Sequence, residues 1–137
     1  MEQHPNNKLA AASWLAVSNS DVEALEKLWA DDIVWHSTGR NPWAGVYVGR
    51  EAVLDYLAQV GESVETYDAR LNDVLVSDDH LMLVCSMRLK HSGLEELMMD
   101  ELLLARIENA KIAEVWLLAL DPEAVTAYWE NAVNKTA

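Results

Sequence analysis

The segment WHSTGRNPWAGVYVG, residues 35–49, decides the fold of this chain. It holds two of the six Trp residues, three of the five Gly residues and a His, with Pro42 inside it. Apolar residues recur at helical spacing before it and once after it, and beyond that the period becomes that of strands. A short polar and aromatic segment between helices and a sheet is where a pocket mouth is expected.

Within the segment, residues 33–36 lead in as a short β-prone run. Residues 37–42 read as a loop, and residues 45–49 as a second short strand bounded by Gly. Upstream, Val22, Leu25, Leu28 and Trp29 share one face at helical spacing. They predict a helix capped by Ser20 or Asp21 and closed at Asp31-Asp32, with Glu23 and Glu26 near its positive end. The Ala- and Leu-rich residues 8–18 predict a helix before that, and residues 1–7 read as a flexible tail.

Downstream, Val53, Leu54, Leu57 and Val60, with Tyr56 beside them, predict a third helix over residues 50–60, ended by Gly61. Residues 66–77, 81–90, 95–108 and 111–120 read as four strands joined by short turns, an antiparallel meander. The third of these has helix-forming composition as well. The short turns on either side, and the need of IAEVWLLAL for a partner, assign it to the sheet. Asp121-Pro122 opens a last helix with Val125, Tyr128 and Trp129 on its apolar face. The order α-α-β-β-α-β-β-β-β-α is an α+β arrangement, and 137 residues suit one domain over residues 1–137.

Composition narrows the partners. A formal charge of −13 repels phosphate backbones and anionic membranes, so neither nucleic acid nor a membrane is an expected partner. No apolar run is long enough to span a bilayer, and the N-terminus lacks a secretory pattern, which makes a cytoplasmic location the expectation. Cys85 is the single cysteine and lies in the apolar run LMLVCSM, where an inert buried thiol is expected. His4, His36, His80 and His91 show no ligand spacing. Neither a metal nor an organic cofactor is expected, since a phosphate loop and a nucleophile elbow are also missing.

In the last two strands, Leu102-Leu103-Leu104-Ala105 and Val115-Trp116-Leu117-Leu118 are apolar at both parities. A half-covered antiparallel strand alternates instead. Helices cover one face, so a second copy of the chain is expected on the other, making a homodimer through the outer face of the sheet.

LEKLWADDIVWHSTGRNPWAGVYVGREAVLDYL, followed by IAEVWLLALDPEAVTAYW, resembles the SnoaL-like branch of the nuclear transport factor two-like superfamily, which includes ketosteroid isomerases and polyketide cyclases. The resemblance runs from about Ser13 onward. It implies a cystatin-like cone, N-terminal helices packed in a strongly curved, mostly antiparallel sheet, with an apolar pocket inside. By position it nominates Ser13 or Trp14, residues 35–37 and Tyr56. From the meander it adds Cys85, Met87, Glu101, Leu103, Ala105, Val115 and Leu117. The isomerase branch places a phenol, a carboxylate and a protonated carboxylic acid where this chain has Ser13, Ser37 and Leu103, so that catalytic set is absent. Other SnoaL-like proteins often carry a His at the position of Leu103.

Two residues are candidate catalysts. An imidazole can take up and release protons, so His36 could serve as a general base, although strand parity sets it opposite Trp35 and Ser37. Glu101 has the parity to face an apolar pocket, which would raise its pKa. Alternatively, Asp100 and Glu101 pair across the sheet with Arg88, Lys90 or Arg106. Trp14, Trp35, Trp43, Tyr56 and Leu103 are the candidate ligand-binding residues, for a small apolar or aromatic molecule. Trp43 stands out because a Pro-containing loop is an unusual place for core packing, and Arg40 beside it could meet an anionic ligand group. Two readings follow. One is a cofactor-free isomerase, cyclase or lyase working by acid–base chemistry. The other is a non-catalytic module that binds an apolar ligand or dimerises.

Overall fold

Alternation along the C-terminal half builds the wall on which everything else rests. In a computed structural model that describes residues 4–136, with side chains described through residue 132, four long strands follow one another: β3 (Thr66–Val76), β4 (His80–Lys90), β5 (Leu97–Glu108) and β6 (Lys111–Ala119). Each pairs antiparallel with the next. Two earlier strands, β1 (Trp29–Ser37) and β2 (Gly45–Val48), extend the sheet to the order β2-β1-β6-β5-β4-β3, with β1 running parallel to β6. Four helices complete the fold: α1 (Pro5–Ser18), α2 (Val22–Leu28), α3 (Arg50–Glu62) and α4 (Pro122–Thr136). The α+β order expected from the sequence is the order observed.

Local chemistry explains the element ends. The α1 helix begins at Pro5, three residues earlier than its Ala-rich stretch predicts. His4 caps it, its Nδ1 accepting the Asn6 N–H at 3.1 Å. Asn6 Nδ2 donates to the Ser77 carbonyl at 2.8 Å, and His4 Nε2 lies 2.9 Å from Asp78. Residues 4–7, read from sequence as tail, thus belong to a capped helix tied to the β3–β4 turn, and residues 1–3 lie outside the described residues. Asp21 is the cap of α2, accepting the Ala24 N–H at 3.1 Å.

The reading of Trp29 as helical and of Asp31-Asp32 as a break is corrected, because the strand starts at Trp29 and runs through both aspartates, which are exposed. Arg50 holds this junction, donating to the carbonyls of Glu26 and Trp29 and pairing with Asp31. Gly49, at φ +94, turns β2 into α3 in a conformation that L side chains rarely adopt. Gly61 does not end α3, because the helix continues to Glu62 and its C-cap is Ser63, whose Oγ donates to the Val60 carbonyl at 2.6 Å.

Two clusters fill the concave side. The larger centres on Leu25, Trp29, Ile33, Trp35, Val53, Tyr56 and Leu81 and joins α1, α2 and α3 to the sheet. The smaller gathers Leu89, Val125, Trp129 and Ala132 beneath α4. Trp43 packs against both, with its ring edge-on to Trp129 at 6.0 Å. The loop tryptophan is therefore part of the core, bridging its two halves. No described helix is long and apolar enough to cross a membrane.

Candidate active site

Strand period sets which side chains meet inside the curve. Along β4 the residues Leu81, Leu83, Cys85, Met87 and Leu89 point inward, along β5 Met99, Glu101, Leu103 and Ala105, and along β6 Ile112, Val115, Leu117 and Ala119. With Ser13, Trp14 and Val17 of α1, Tyr56, Leu57 and Val60 of α3, and Val125 and Trp129 of α4, they enclose a cavity of about 190 Å³. Trp14, Trp35, Trp43, Tyr56 and Leu103, the five residues expected to bind ligand, all line it. So do Trp29, Tyr67 and Trp129, which the sequence reading did not place there. The volume modestly exceeds the roughly 150 Å³ at which an apolar protein cavity takes up one benzene ring. It suits a molecule of one or two rings better than a tetracyclic one.

Among the described residues Glu101 is the one charged residue in that lining. It is buried to 6% exposure, and among the described residues its carboxylate has neither a hydrogen-bond partner nor a cation. Burial alone pushes its pKa up to about 7. The expected cross-sheet pairing does not occur. Arg88 pairs with Glu96, Lys90 with Glu65, and Arg106 with Glu108 and Glu114. Asp100, of opposite parity, accepts a hydrogen bond from Ser86 on the outer face.

Three polar side chains feel the Glu101 charge. Burial first, and Glu101 further down the order of causes, push the Tyr56 hydroxyl up to about 12. The same two causes raise the Cys85 thiol to about 12, and they raise Tyr67 as well. Tyr67 exposes half its surface at the rim, while its hydroxyl rests against Met87 Sδ at 3.8 Å. Tyr56 therefore stays protonated and donates to Ser37 Oγ at 3.2 Å, leaving the Ser37 hydroxyl hydrogen free to donate onward. Tyr47 stacks on Tyr56 at 4.2 Å and fixes the ring. In the sheet, Ser37 pairs with Leu117 and Leu117 with Leu103, whereas Glu101 pairs with Ala119. The carboxylate thus sits one rung along β5 from Leu103, about 7 Å, on the same face of the sheet as Ser37 with β6 between them.

His36 is not part of this site. Successive side chains of a strand face opposite ways, so with Trp35 and Ser37 inside, His36 is outside. There its Nε2 lies 2.6 Å from Glu114, and its ring stacks on Trp116 at 5.2 Å. His36 first, then Arg106, hold the Glu114 carboxyl below the usual carboxylate range. His36 as a catalytic base is corrected to an outer-face residue hydrogen-bonded to Glu114, which Arg106 also contacts. Arg40 is exposed and outside the cavity lining. Ser13, Ser37 and Leu103, at the places of the isomerase groups, do line the cavity. Among the described residues no group of three or more His, Cys, Asp or Glu is arranged to hold a metal.

The family of the SnoaL-like domain matches residues 10–115. Bal32a, from a soil-derived mobile gene cassette, is 24% identical over 90% of this chain and 95% of its own, with a TM-score of 0.83. A protein of cystatin-like fold from Xanthomonas campestris is 26% identical over 89% and 95%, with a TM-score of 0.79. IdmH from Streptomyces antibioticus, described as a proposed polyketide cyclase, is 21% identical over 96% and 99%, with a TM-score of 0.72. No match was found among curated proteins.

Proposed function

The chain belongs to the SnoaL-like domain family, and from that membership we propose that it is a small-molecule enzyme working by cofactor-free proton transfer, an isomerase, cyclase or lyase. The observation that carries this reading is Glu101, an unpartnered carboxyl buried in an apolar cavity with its pKa raised to about 7. Such a group holds a proton half the time at neutrality and can both take and return one. In the proposed step the Glu101 carboxylate removes a proton from carbon next to a ligand carbonyl. The C–H electron pair moves into an enolate, and the oxygen accepts a hydrogen bond from Ser37, which Tyr56 positions. The proton returns from Glu101 to the same or another carbon, so no electrons are gained or lost.

Exchange of ligand C–H for deuterium in heavy water tests this. One- and two-ring ketones should exchange with a rate that rises through pH 7 and falls on the order of 10²–10⁴-fold in Glu101→Gln. Binding without exchange would instead favour the non-catalytic reading, which the Ser13, Ser37 and Leu103 replacements support.

We also propose that the outer face pairs with a second copy. Met82, Leu102, Leu104 and Trp116 are only half buried there, and Leu118 and Val46 are exposed. A two-fold dimer sets one such patch against its twin. Light scattering should give twice the 15.4 kDa chain mass for the wild type and the single mass for Trp116→Glu. A monomeric wild type at micromolar concentration would exclude the pairing.

A further inference from the structure

A buried carboxylate without a cation is an incomplete electrostatic arrangement, and three features of the cavity say what would complete it. First, among the described residues Glu101 supplies the lining's only formal charge, and no described Lys, Arg or His shares that lining. An anionic ligand would bring a second negative charge into a site whose described lining offers hydroxyl and indole N–H donors but no cationic side chain to receive it. Second, the walls are unusually aromatic. Five Trp and two Tyr residues line the cavity, and Trp29, Trp35 and Tyr56 form a continuous run with ring centres 6.0 and 6.1 Å apart. Aromatic faces carry partial negative charge and attract cations, most effectively where water is excluded. Third, the whole chain carries a formal charge of −13, a potential that gathers cations and repels anions.

We propose that the cavity binds small ligands carrying an alkylated, positively charged nitrogen, which sits against the aromatic walls with Glu101 as its counter-ion. This goes beyond the proton-transfer reading, because it concerns which ligands enter and holds whether or not a reaction follows.

An alkylated ammonium is the cation that fits this chemistry. It is weakly hydrated, so little is lost when it leaves water, and it needs no hydrogen-bond acceptors beyond the carboxylate. A primary ammonium or a metal ion would require several oxygen ligands. The groups facing Glu101 are Cys85 from β4, Tyr67 from β3 and Tyr56 from α3, and Asp100 acts on Cys85 from the opposite face. None of them is cationic, so the ligand would provide the positive charge. The Ser37 hydroxyl, across β6 from Glu101, then accommodates a carbonyl or hydroxyl elsewhere on the same ligand.

Two probes of equal shape test the proposal. Choline and 3,3-dimethylbutan-1-ol differ by a positively charged nitrogen in place of carbon, and 3,3-dimethylbutanoate adds the anionic case. Dissociation constants are measured by calorimetry and by the fluorescence of the wall tryptophans. At pH 8.5 the wild-type protein should bind choline at least tenfold more tightly than the alcohol, and the carboxylate least of all. The preference should fall towards one at pH 5, where Glu101 is protonated, and should be lost in Glu101→Gln at pH 8.5. The pH comparison uses the wild-type protein and is independent of how the variant folds.

Equal or tighter binding of the alcohol at pH 8.5 would overturn the proposal. So would a choline preference that survives both at pH 5 and in the variant, and so would absence of choline binding altogether. Deuterium exchange of neutral ketones is read separately. Failure of the ammonium preference with exchange intact sinks only this inference, and loss of both sinks the proton-transfer reading as well.

Discussion

Replacing Glu101 with Gln is expected to remove the proposed proton transfer and, above neutral pH, to stabilise the fold. Burial pushes the Glu101 carboxyl from its ordinary 4.5 up to about 7. Between those values the unfolded chain has already released the proton and the folded chain still holds it. The unfolded state therefore binds fewer protons, and stability falls as pH rises through this window. Above about pH 7 the folded protein carries an ionised, unpaired carboxylate, and the loss levels off at on the order of 3 kcal/mol. Glutamine keeps the shape and carries no charge. The variant should match the wild type near pH 4 and melt higher by on the order of 10 °C at pH 8, as followed by calorimetry. Equal melting temperatures at pH 8 would mean that Glu101 is not isolated from water or from a cation. A stabilising loss of function is the signature of a group retained for its chemistry.

The second large effect is expected at Trp29. Its side chain is 1% exposed and sits where α2 passes into β1, against Trp35 and on the cavity wall. Trp29→Ala removes a large apolar surface that neighbouring rings, fixed by the sheet register, do not refill. A loss of about 3–5 kcal/mol is expected in denaturant titration. That is a large share of a typical domain stability of about 5–15 kcal/mol. The Arg50 donations to the Glu26 and Trp29 carbonyls use backbone oxygens and survive the change. The loss therefore reads the packing of the ring, and a shortfall to below about 1 kcal/mol would show that the cavity collapses onto the gap.

Much of this was legible in the chain because a strand exposes its sides in strict alternation. The resemblance nominated Cys85, Met87, Glu101, Leu103, Ala105, Val115 and Leu117 for the inner side, an assignment that rests on strand parity, and all seven line the cavity. Parity also set His36 on the outside, and its residue type was the reason to consider it as a catalyst.

What escaped has physical causes too. Trp29 lies at helical spacing from Leu25 and Val22, and nothing local marks where the helix ends and the strand begins. In β3 the register shifts between Leu71 and Asp73, so inward residues change parity midway. Tyr67 and Ala69 fall inside on one side of that bulge, and a single alternating pattern cannot find them. Trp129 looked like ordinary helix face, and its arrival at the cavity depends on how α4 lies across the sheet, a tertiary fact. His4 as a cap was invisible because His is an uncommon capping residue and its bond is made by a ring nitrogen.

The displacement of the carboxyl by one rung from Leu103 has a wider consequence. Every second residue of β5 looks into the same cavity, so the inner strand is a rack of interchangeable slots rather than a single reserved seat. Moving an acid from one slot to the next changes which atom of a bound molecule it can reach by about 7 Å and leaves the backbone untouched. Exchanging two side chains, as in the double substitution Glu101→Leu with Leu103→Glu, therefore moves the acid along a bound molecule without inventing a new fold.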